Sequence, residues 1–193
     1  AFQSHAGTET CPGHSTLLTG VHPNRTGIVA NNWFDLTQKR ADKGVYCVED
    51  EHDPASTPAD PVVSAVHLRV PTLGERMKAA NLATRNVAVS AKDRAVVMMG
   101  GHTIDEGYWW KNGAFTTFRG RELAPAAVAE NVATAELIAT GAPALPLPAF
   151  CGPRDRAIIS GKATVGTTRF TVEKGVADSF RVSPRMDGAT LDL

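Results

Sequence analysis

The sequence of 193 residues lacks an excess of either charge, because lysine and arginine number 20 and aspartate and glutamate also number 20. A chain with a formal net charge of zero has no basic surplus, which excludes nucleic acid as a structural partner. It also lacks an apolar run of the roughly 18 residues that a membrane-spanning helix needs. Glutamates, an asparagine and three prolines interrupt the longest candidate, residues 124–147. We therefore expect no membrane span, and composition assigns no oligomeric state.

Cysteine is scarce as well. The three cysteines, Cys11, Cys47 and Cys151, include no Cys-x-x-Cys pair, which argues against a zinc knuckle or a thioredoxin-type motif. Cys47 and Cys151 are compatible with a disulfide in an exported protein and equally with two free, buried thiols. His5, Cys11 and His14 together form only a weak zinc pattern.

The sequence has no initiator methionine. It begins at Ala1, directly ahead of its richest motif, and ends at Leu193. The pattern predicts a turn at 183–188 and the first turns of a helix at 189–193. A helix of about two turns is marginally stable by itself. We therefore expect a piece of a larger protein, about one domain in length.

Capping signals predict the helices. Pro12 suits a first helical turn and Gly20 suits a helix end. Thr72 is a good N-cap, and Glu75, three residues later, completes a capping box. The helices predicted from these and similar signals span residues 12–19, 73–80 and 125–140.

A β-branched run at 86–90 predicts the best core strand, and a helix followed directly by a buried strand is typical of an α/β fold. Aromatic residues on either side of Asn112-Gly113 predict a hairpin in which Trp109 and Trp110 pack. Further extended segments are expected at 28–30, 157–160 and 169–172, the last two in a second, sheet-rich region.

Residues 33–64 are polar and rich in turn formers. They predict a long excursion on the surface, with at most short strands near residues 45–48. The acidic residues at 49–53 are expected to form a solvated loop and not a calcium site.

One motif combines small hydroxyl residues, a proline and an apolar helix. Residues 8–20 read Thr-Glu-Thr-Cys-Pro-Gly-His-Ser-Thr-Leu-Leu-Thr-Gly. Thr10 is therefore placed at a helix N-terminus, where partial positive charge favours a bound phosphate. A threonine hydroxyl is a poor nucleophile at neutral pH and needs a nearby base or a metal. Taken alone, such a motif is more often a helix cap.

Asn31, Lys92 and Arg94 supply what such a nucleophile needs to hold a phosphate. Lys92 and Arg94 follow the strand at 87–89, and on an extended backbone both side chains point to the same side. Cations at the carboxyl end of a parallel strand lie where α/β proteins bind anions. Asn31 can donate its amide N–H to a further oxygen. Separately, a Lys-x-Arg pair is more often solvated surface, an Asn-Asn pair a turn, and His14 a core or capping histidine.

Taken together, these residues resemble the nucleophile region of the alkaline phosphatase superfamily. The similarity comprises residues 8–20, Pro-Asn-Arg-Thr-Gly-Ile at 23–28 and Asn-Asn-Trp-Phe at 31–34. Asn31 lies 21 residues after Thr10, and Lys92 lies 82 residues after it. This spacing is similar to that of the bacterial threonine-nucleophile alkaline phosphatases of the Sphingomonas and Chryseobacterium type, which are related to the nucleotide pyrophosphatase/phosphodiesterases.

The resemblance implies part of a three-layer αβα sandwich of the α/β class, as one incomplete catalytic domain over residues 1–193. It places the nucleophile region at 1–35, a Lys/Arg clamp region at 71–118 and an inserted, loop- and β-rich substrate-recognition region at about 140–185.

The resemblance also implies an activity, a cofactor and a set of site residues. The activity is zinc-dependent hydrolysis of small phosphate monoesters in the periplasm or outside the cell. Two Zn²⁺ ions would hold Thr10 and the phosphate, and Thr10 would become a phosphothreonine. Asn31, Lys92 and Arg94 would bind the substrate and act in catalysis, the last two favouring monoesters.

The sequence departs from the family in its other zinc ligands. The family uses an aspartate before the nucleophile, an Asp-x-x-x-His, an Asp-His and a late histidine, and no Asp-x-x-x-His occurs in this chain. We therefore expect the chain by itself to be inactive. Two alternatives remain open, namely a phosphodiesterase or nucleotide pyrophosphatase of the same superfamily, and a non-catalytic phosphate- or partner-binding module.

Overall fold

A computed structural model describes residues 8–166 and 169–193. Helices and strands alternate along much of it, which confirms the predicted α/β class. In chain order the elements are α1 (Thr10–Thr19), α2 (Pro23–Thr26), β1 (Asn32–Phe34), β2 (Gly44–Tyr46), α3 (Leu73–Ala80), β3 (Val87–Ser90), α4 (Asp93–Gly100), β4 (Glu106–Lys111), β5 (Ala114–Thr116), α5 (Pro125–Thr140), a 3₁₀ helix (Ala149–Arg154), β6 (Ile158–Ser160), β7 (Ala163–Val165), α6 (Ala177–Arg181) and α7 (Arg185–Leu191).

The chain divides into two compact units. The first comprises the residues up to 111 together with 115–124, and the second comprises 112–114 and 125–193. All four residues of the predicted phosphate site belong to the first unit.

The helix α1 ends where the sequence predicts. Gly20 adopts a left-handed conformation (φ 73°), and its N–H donates to the carbonyl of Thr16 at 3.0 Å. A residue without a Cβ adopts this conformation at little cost. The helix begins two residues earlier than predicted, at Thr10, with Glu9 as its N-cap. Its buried side chains are those of Cys11, Pro12 and Ser15.

The strands β1 and β2 form an antiparallel pair in which Asn32 lies opposite Tyr46. None of residues 28–30, predicted as a short extended segment, is assigned to a strand, and β1 begins only at Asn32. The side chain of Ile28 is buried in the core instead. A single apolar side chain can thus anchor a loop without any ladder of backbone hydrogen bonds.

Residues 33–64 are not only a surface excursion, which corrects the sequence prediction. Val45, Cys47 and Val48 are buried in the core, and Glu49 is 2% exposed. The Glu49 carboxylate accepts from Arg40 Nη1 at 2.7 Å and from the Ser56 hydroxyl at 2.6 Å. Since a buried charge needs such partners, Glu49 is a structural group and does not belong to a solvated loop.

The helix α3 forms at its predicted position with the predicted capping box. The hydroxyl of Thr72 accepts from the Glu75 N–H at 3.4 Å, and the Glu75 carboxylate accepts from the Thr72 N–H at 2.7 Å. Asn81 ends the helix.

The strands β3 and β4 pair in parallel, with Val87 opposite Glu106. The predicted strand is confirmed, but it is not fully buried, because the Val87 side chain is 46% exposed. Only one of its edges is paired, since the described strands place β3 at the end of the order β3-β4-β5. After Ala91 and Lys92 the chain turns directly into α4, whose apolar residues pack in the core.

The predicted hairpin is confirmed by β4 and β5. Asn112 and Gly113 form its turn with φ values of 53° and 90°, as a two-residue hairpin turn requires. Trp109 and Trp110 are buried, as predicted, and Trp109 packs edge-on against Phe118.

The helix α5 belongs to the second unit and spans the predicted 125–140. The strand predicted at 157–160 is present as β6, which pairs with β7. The segment at 169–172 forms no strand in its described part, where Val172 makes one isolated bridge to Ala142. The predicted turn at 183–188 is also wrong, since α7 begins at Arg185.

The core of the first unit lies between α1, α4 and the β2 segment. It contains Cys11 and Ile28 from the amino-terminal region, and Val97 and Met98 from α4. In the described ranges no helix is both long and apolar enough to cross a membrane.

Candidate functional site

Thr10 occupies the first position of α1. The first N–H groups of any helix have no partner within the helix. Here the N–H of Cys11 donates to a side-chain oxygen, and Pro12 has no N–H. The carbonyl of Thr10 is hydrogen-bonded to Nδ1 of His14 at 2.8 Å, so His14 holds the first turn together.

Asn31 joins the loop before β1 to the start of α1. Its Oδ1 atom accepts from the N–H of Cys11 at 2.8 Å, and its own N–H donates to Oε2 of Glu9 at 2.6 Å. In the part of the chain that the structure describes, no acceptor is recorded for its Nδ2 group. That amide therefore lies beside Thr10 with its donor available, as the predicted phosphate contact requires.

The disulfide joins Cys11 to Cys47, with their Cα atoms 6.5 Å apart. This corrects the sequence analysis, which paired Cys47 with Cys151 or left both free. Cys151 is a free, half-buried thiol. Spacing along the chain could not reveal the partner, because the pairing depends on the antiparallel return of β2 beside β1. The N–H of Cys47 also donates to the carbonyl of Asn31 at 3.0 Å.

Lys92 and Arg94 lie at a β-to-α junction, as predicted, but not on an extended strand. Lys92 is the N-cap of α4 and Arg94 is the second residue of that helix. The argument that both side chains share one side of a strand is therefore wrong. What places Arg94 is a tertiary contact, in which its guanidinium lies over the Tyr46 ring, 5.7 Å from the ring centre.

The segment Tyr46-Cys47 connects the parts of the site. Tyr46 contacts the start of α4 through Asp93, whose Oδ1 accepts from its hydroxyl at 2.9 Å. Cys47, the next residue, is bonded covalently to the start of α1. The start of α1, Asn31 and the start of α4 with Arg94 all contact this one dipeptide.

The two cations of this site have no acidic partner among the residues described. Some basic side chains elsewhere do pair with a carboxylate, for example Arg40 with Glu49 and Lys111 with Asp60. The Nε atom of Arg94 is buried without a hydrogen-bond partner in the described ranges. Cations without an acidic partner at the start of a helix are what an anion with several oxygens, such as a phosphoryl group, would require.

The described residues contain no group of three or more His, Cys, Asp or Glu side chains that could hold a metal ion. His5 of the weak zinc pattern lies outside the described residues, and Cys11 is in the disulfide. Thr10 remains the sole metal ligand assigned to this chain by the resemblance.

Sequence reasoning missed Glu9, Tyr46 and Asp93 as parts of this site. Glu9 and Asp93 adjoin residues already singled out, but their sequence positions do not reveal their hydrogen bonds. Tyr46 had no signal, because its contact with Asp93 spans 47 residues.

Comparison with known proteins first gives a family. The sequence model of the family described as type I phosphodiesterase / nucleotide pyrophosphatase matches residues 2–139, more than half of the chain.

Two curated relatives cover nearly the whole chain. Alkaline phosphatase PhoK of Sphingomonas sp is 51% identical over 192 residues, which are 98% of this chain and 34% of that protein. Alkaline phosphatase PhoD of Zymomonas mobilis subsp. mobilis is 42% identical over 200 residues, covering 100% of this chain and 34% of that protein. The chain thus spans about a third of the length of these relatives.

Solved structures of alkaline phosphatase PafA resemble the fold. The wild-type structure superimposes with a TM-score of 0.66 at 27% identity, covering 96% of this chain and 39% of that one. A variant of PafA substituted at a threonine, an asparagine, a lysine and an arginine gives a TM-score of 0.67 at 23% identity, with the same coverage. The likeness to the variant shows the fold alone.

Proposed function

The chain belongs to the type I phosphodiesterase / nucleotide pyrophosphatase family, and on this premise we propose that it forms part of a phosphate monoester hydrolase. In the proposed reaction Oγ of Thr10 bonds to phosphorus while the bond from phosphorus to the ester oxygen breaks, and the alcohol leaves with a proton. Water then hydrolyses the phosphothreonine, which releases inorganic phosphate and restores the Thr10 hydroxyl. The named relatives PhoK and PhoD are alkaline phosphatases, which supports a monoester substrate.

The observation that supports this proposal most strongly is the gathering of the site around Tyr46-Cys47. Asn31 Nδ2 and the side chains of Lys92 and Arg94 would contact the phosphoryl oxygens. Arginine suits bidentate contact with such oxygens, and lysine acts as a point charge. Donors that are already in place stabilise charge as it develops in the transition state.

The proposed preference for monoesters follows from charge. A monoester dianion presents one more anionic oxygen than a diester, and two cations at the site would bind that oxygen more strongly than a neutral ester oxygen.

Zinc is part of the proposal for the whole protein only. The resemblance assigns two Zn²⁺ ions to such a site, with Thr10 as a ligand. The described residues do not provide a zinc site by themselves, so no step is assigned to a metal here. We infer that this chain alone is inactive, and hydrolysis of p-nitrophenyl phosphate by the isolated chain with added Zn²⁺ would contradict that inference.

We also propose a periplasmic or extracellular location. A disulfide between Cys11 and Cys47 supports it, because disulfides persist mainly in oxidising compartments.

A second candidate is phosphodiester hydrolysis, which the name of the family favours. The Lys92 and Arg94 side chains would discriminate between monoester and diester hydrolysis, since a diester leaves one of their oxygen contacts unused.

The test compares monoester and diester hydrolysis by the whole, metal-loaded protein. We expect Thr10→Ala to lower kcat for the monoester by more than about a thousandfold. Lys92→Ala and Arg94→Ala should each lower monoester kcat/KM by roughly a hundredfold while changing diester hydrolysis far less.

The matched control is Lys39→Ala, which removes the same charge from an exposed position. Monoester hydrolysis that survives both clamp substitutions would refute the clamp. A Thr10→Ala protein with unchanged function would instead favour a non-catalytic binding module.

A further inference from the structure

Asp93 poses a problem for the proposed clamp, because it separates Lys92 from Arg94 in the sequence. A carboxylate beside two cations can form an ion pair with either of them. Such a pair would neutralise the positive charge that a phosphoryl group needs. The carboxylate must therefore be engaged elsewhere if the site is to bind an anion.

The structure engages Asp93 through two other donors. Its Oδ1 atom accepts from the hydroxyl of Tyr46 at 2.9 Å and from the backbone N–H of Arg94 at 2.8 Å. Within residues 8–166 and 169–193, no ion pair joins Asp93 to Lys92 or to the guanidinium of Arg94. The carboxylate is thus held by a neutral phenol and an amide, and the cationic side chains are left uncompensated.

The ring of Tyr46 contacts the guanidinium of Arg94. The guanidinium carbon lies 5.7 Å from the ring centre, within the range of a cation–π contact. The Nε atom of Arg94 is buried there without a hydrogen bond to any described residue. One tyrosine therefore acts on both neighbours, through its hydroxyl on Asp93 and through its ring on Arg94.

We propose that Tyr46 is a positioning residue of the phosphate site, which keeps the Asp93 carboxylate away from the clamp cations and fixes the guanidinium of Arg94. This inference rests on the proposed function, since it specifies how the clamp remains free to bind the substrate. Tyr46 itself touches no reacting atom in the proposal.

The state of the phenol supports this role. Burial raises the pKa of Tyr46 well above its ordinary value of 10.0, and the neighbouring Asp93 carboxylate raises it further, while Arg94 opposes the change. The hydroxyl therefore keeps its proton and remains a donor to Asp93 in alkaline solution.

The backbone at Tyr46 is held by β1 on one side and, through the disulfide of Cys47, by α1 on the other. It ends β2 opposite Asn32, and it is followed by Cys47, whose disulfide reaches α1. Tyr46 is therefore held in register with the loop that carries Asn31. A change at its side chain alters the clamp without moving this backbone.

The test uses Tyr46→Phe in the whole, metal-loaded protein, because phenylalanine keeps the ring and removes only the hydroxyl. We expect the freed Asp93 carboxylate to pair with a clamp cation. Monoester kcat/KM should fall roughly tenfold, the size of a hydrogen bond to a charged group, and inorganic phosphate should bind more weakly by a similar factor. Diester kcat/KM should change less than about twofold.

The decisive readout is rescue. Tyr46→Phe combined with Asp93→Asn should restore phosphate binding and monoester kcat/KM to within about twofold of the parent, because an amide cannot form an ion pair. In an Arg94→Ala, Lys92→Ala background, Tyr46→Phe should have no further effect. Tyr108→Phe is the control, since its hydroxyl also donates to a carboxylate, that of Glu106 at 2.7 Å, and we expect no change.

The inference is overturned if Asp93→Asn does not reverse the loss of phosphate binding and monoester kcat/KM in Tyr46→Phe. It is also overturned if Tyr46→Phe causes an equal loss in the background without the clamp cations. Calorimetric binding of inorganic phosphate separates this result from a failure of the proposed function. A protein without monoesterase activity whose phosphate affinity still follows the expected pattern would refute the function and uphold the positioning role.

Discussion

The backbone N–H of Cys11 donates to Oδ1 of Asn31 at 2.8 Å, so a residue 20 positions away completes the first turn of α1. The bond does two things at once. It pairs a helix donor that has no partner within the helix, and it directs the remaining amide N–H groups of Asn31 away from that helix donor. The structural and the proposed binding roles of Asn31 are therefore separable by substitution.

Asn31→Asp should separate them. Aspartate keeps an oxygen to accept from Cys11 but presents a negative charge to an anionic ligand. We expect phosphate affinity to fall at least about tenfold, with the free energy of unfolding changed by less than about 1 kcal/mol. Asn31→Ala should weaken phosphate binding and also destabilise by about 1 kcal/mol, the usual loss for a removed cap.

Phosphate competition assays and urea unfolding of the whole protein measure the two effects. Equal destabilisation by both substitutions would show that the hydrogen bond to Cys11 contributes nothing to stability.

The disulfide between Cys11 and Cys47 should stabilise the protein chiefly by restricting the unfolded chain. For its separation of 36 residues, the expected contribution is about 3–4 kcal/mol. The double variant Cys11→Ser, Cys47→Ser should lose that amount in urea unfolding, and dithiothreitol should then have no further effect at this site. Cys151→Ser, which removes the free thiol, is the control and should change stability by less than about 0.5 kcal/mol. A double variant as stable as the parent would contradict the prediction.

Because of Glu75, the free energy of unfolding of the first unit should decrease at acidic pH. Burial raises its pKa, but hydrogen bonds from the Thr72 N–H and from the His102 ring and N–H outweigh burial, so its pKa lies below the ordinary value of 4.5. A lowered folded pKa means that the carboxylate stabilises the fold above the unfolded pKa. That contribution is lost as pH falls through the folded pKa.

We therefore expect the urea midpoint of the parent to fall below about pH 4.5, and Glu75→Gln to flatten this dependence. Glu122→Gln is the control, because Glu122 is exposed. A Glu75→Gln protein with the same acid dependence as the parent would exclude the carboxylate as its source.

The sequence predicted those elements whose signals are local. The capping box of Thr72 and Glu75 lies within four residues, and the turn at Asn112-Gly113 needs only its own backbone preferences. The junction after β3 was predicted for the same reason, although the extended backbone expected across Lys92 and Arg94 was wrong. Burial could not be read in this way, since Val87 is β-branched and yet 46% exposed at an unpaired strand edge.

By itself, the sequence determined where α1 ends and, to within two residues, where it begins, because glycine, proline and small hydroxyl side chains act on their immediate neighbours. It also predicted which residues would hold a phosphate, and that assignment stays a proposal. Only the tertiary structure decided that Cys11 pairs with Cys47 and that Tyr46 holds Asp93 and Arg94. Those contacts join residues 36, 47 and 48 positions apart, and they form only when packing of the core brings β2 against the starts of two helices.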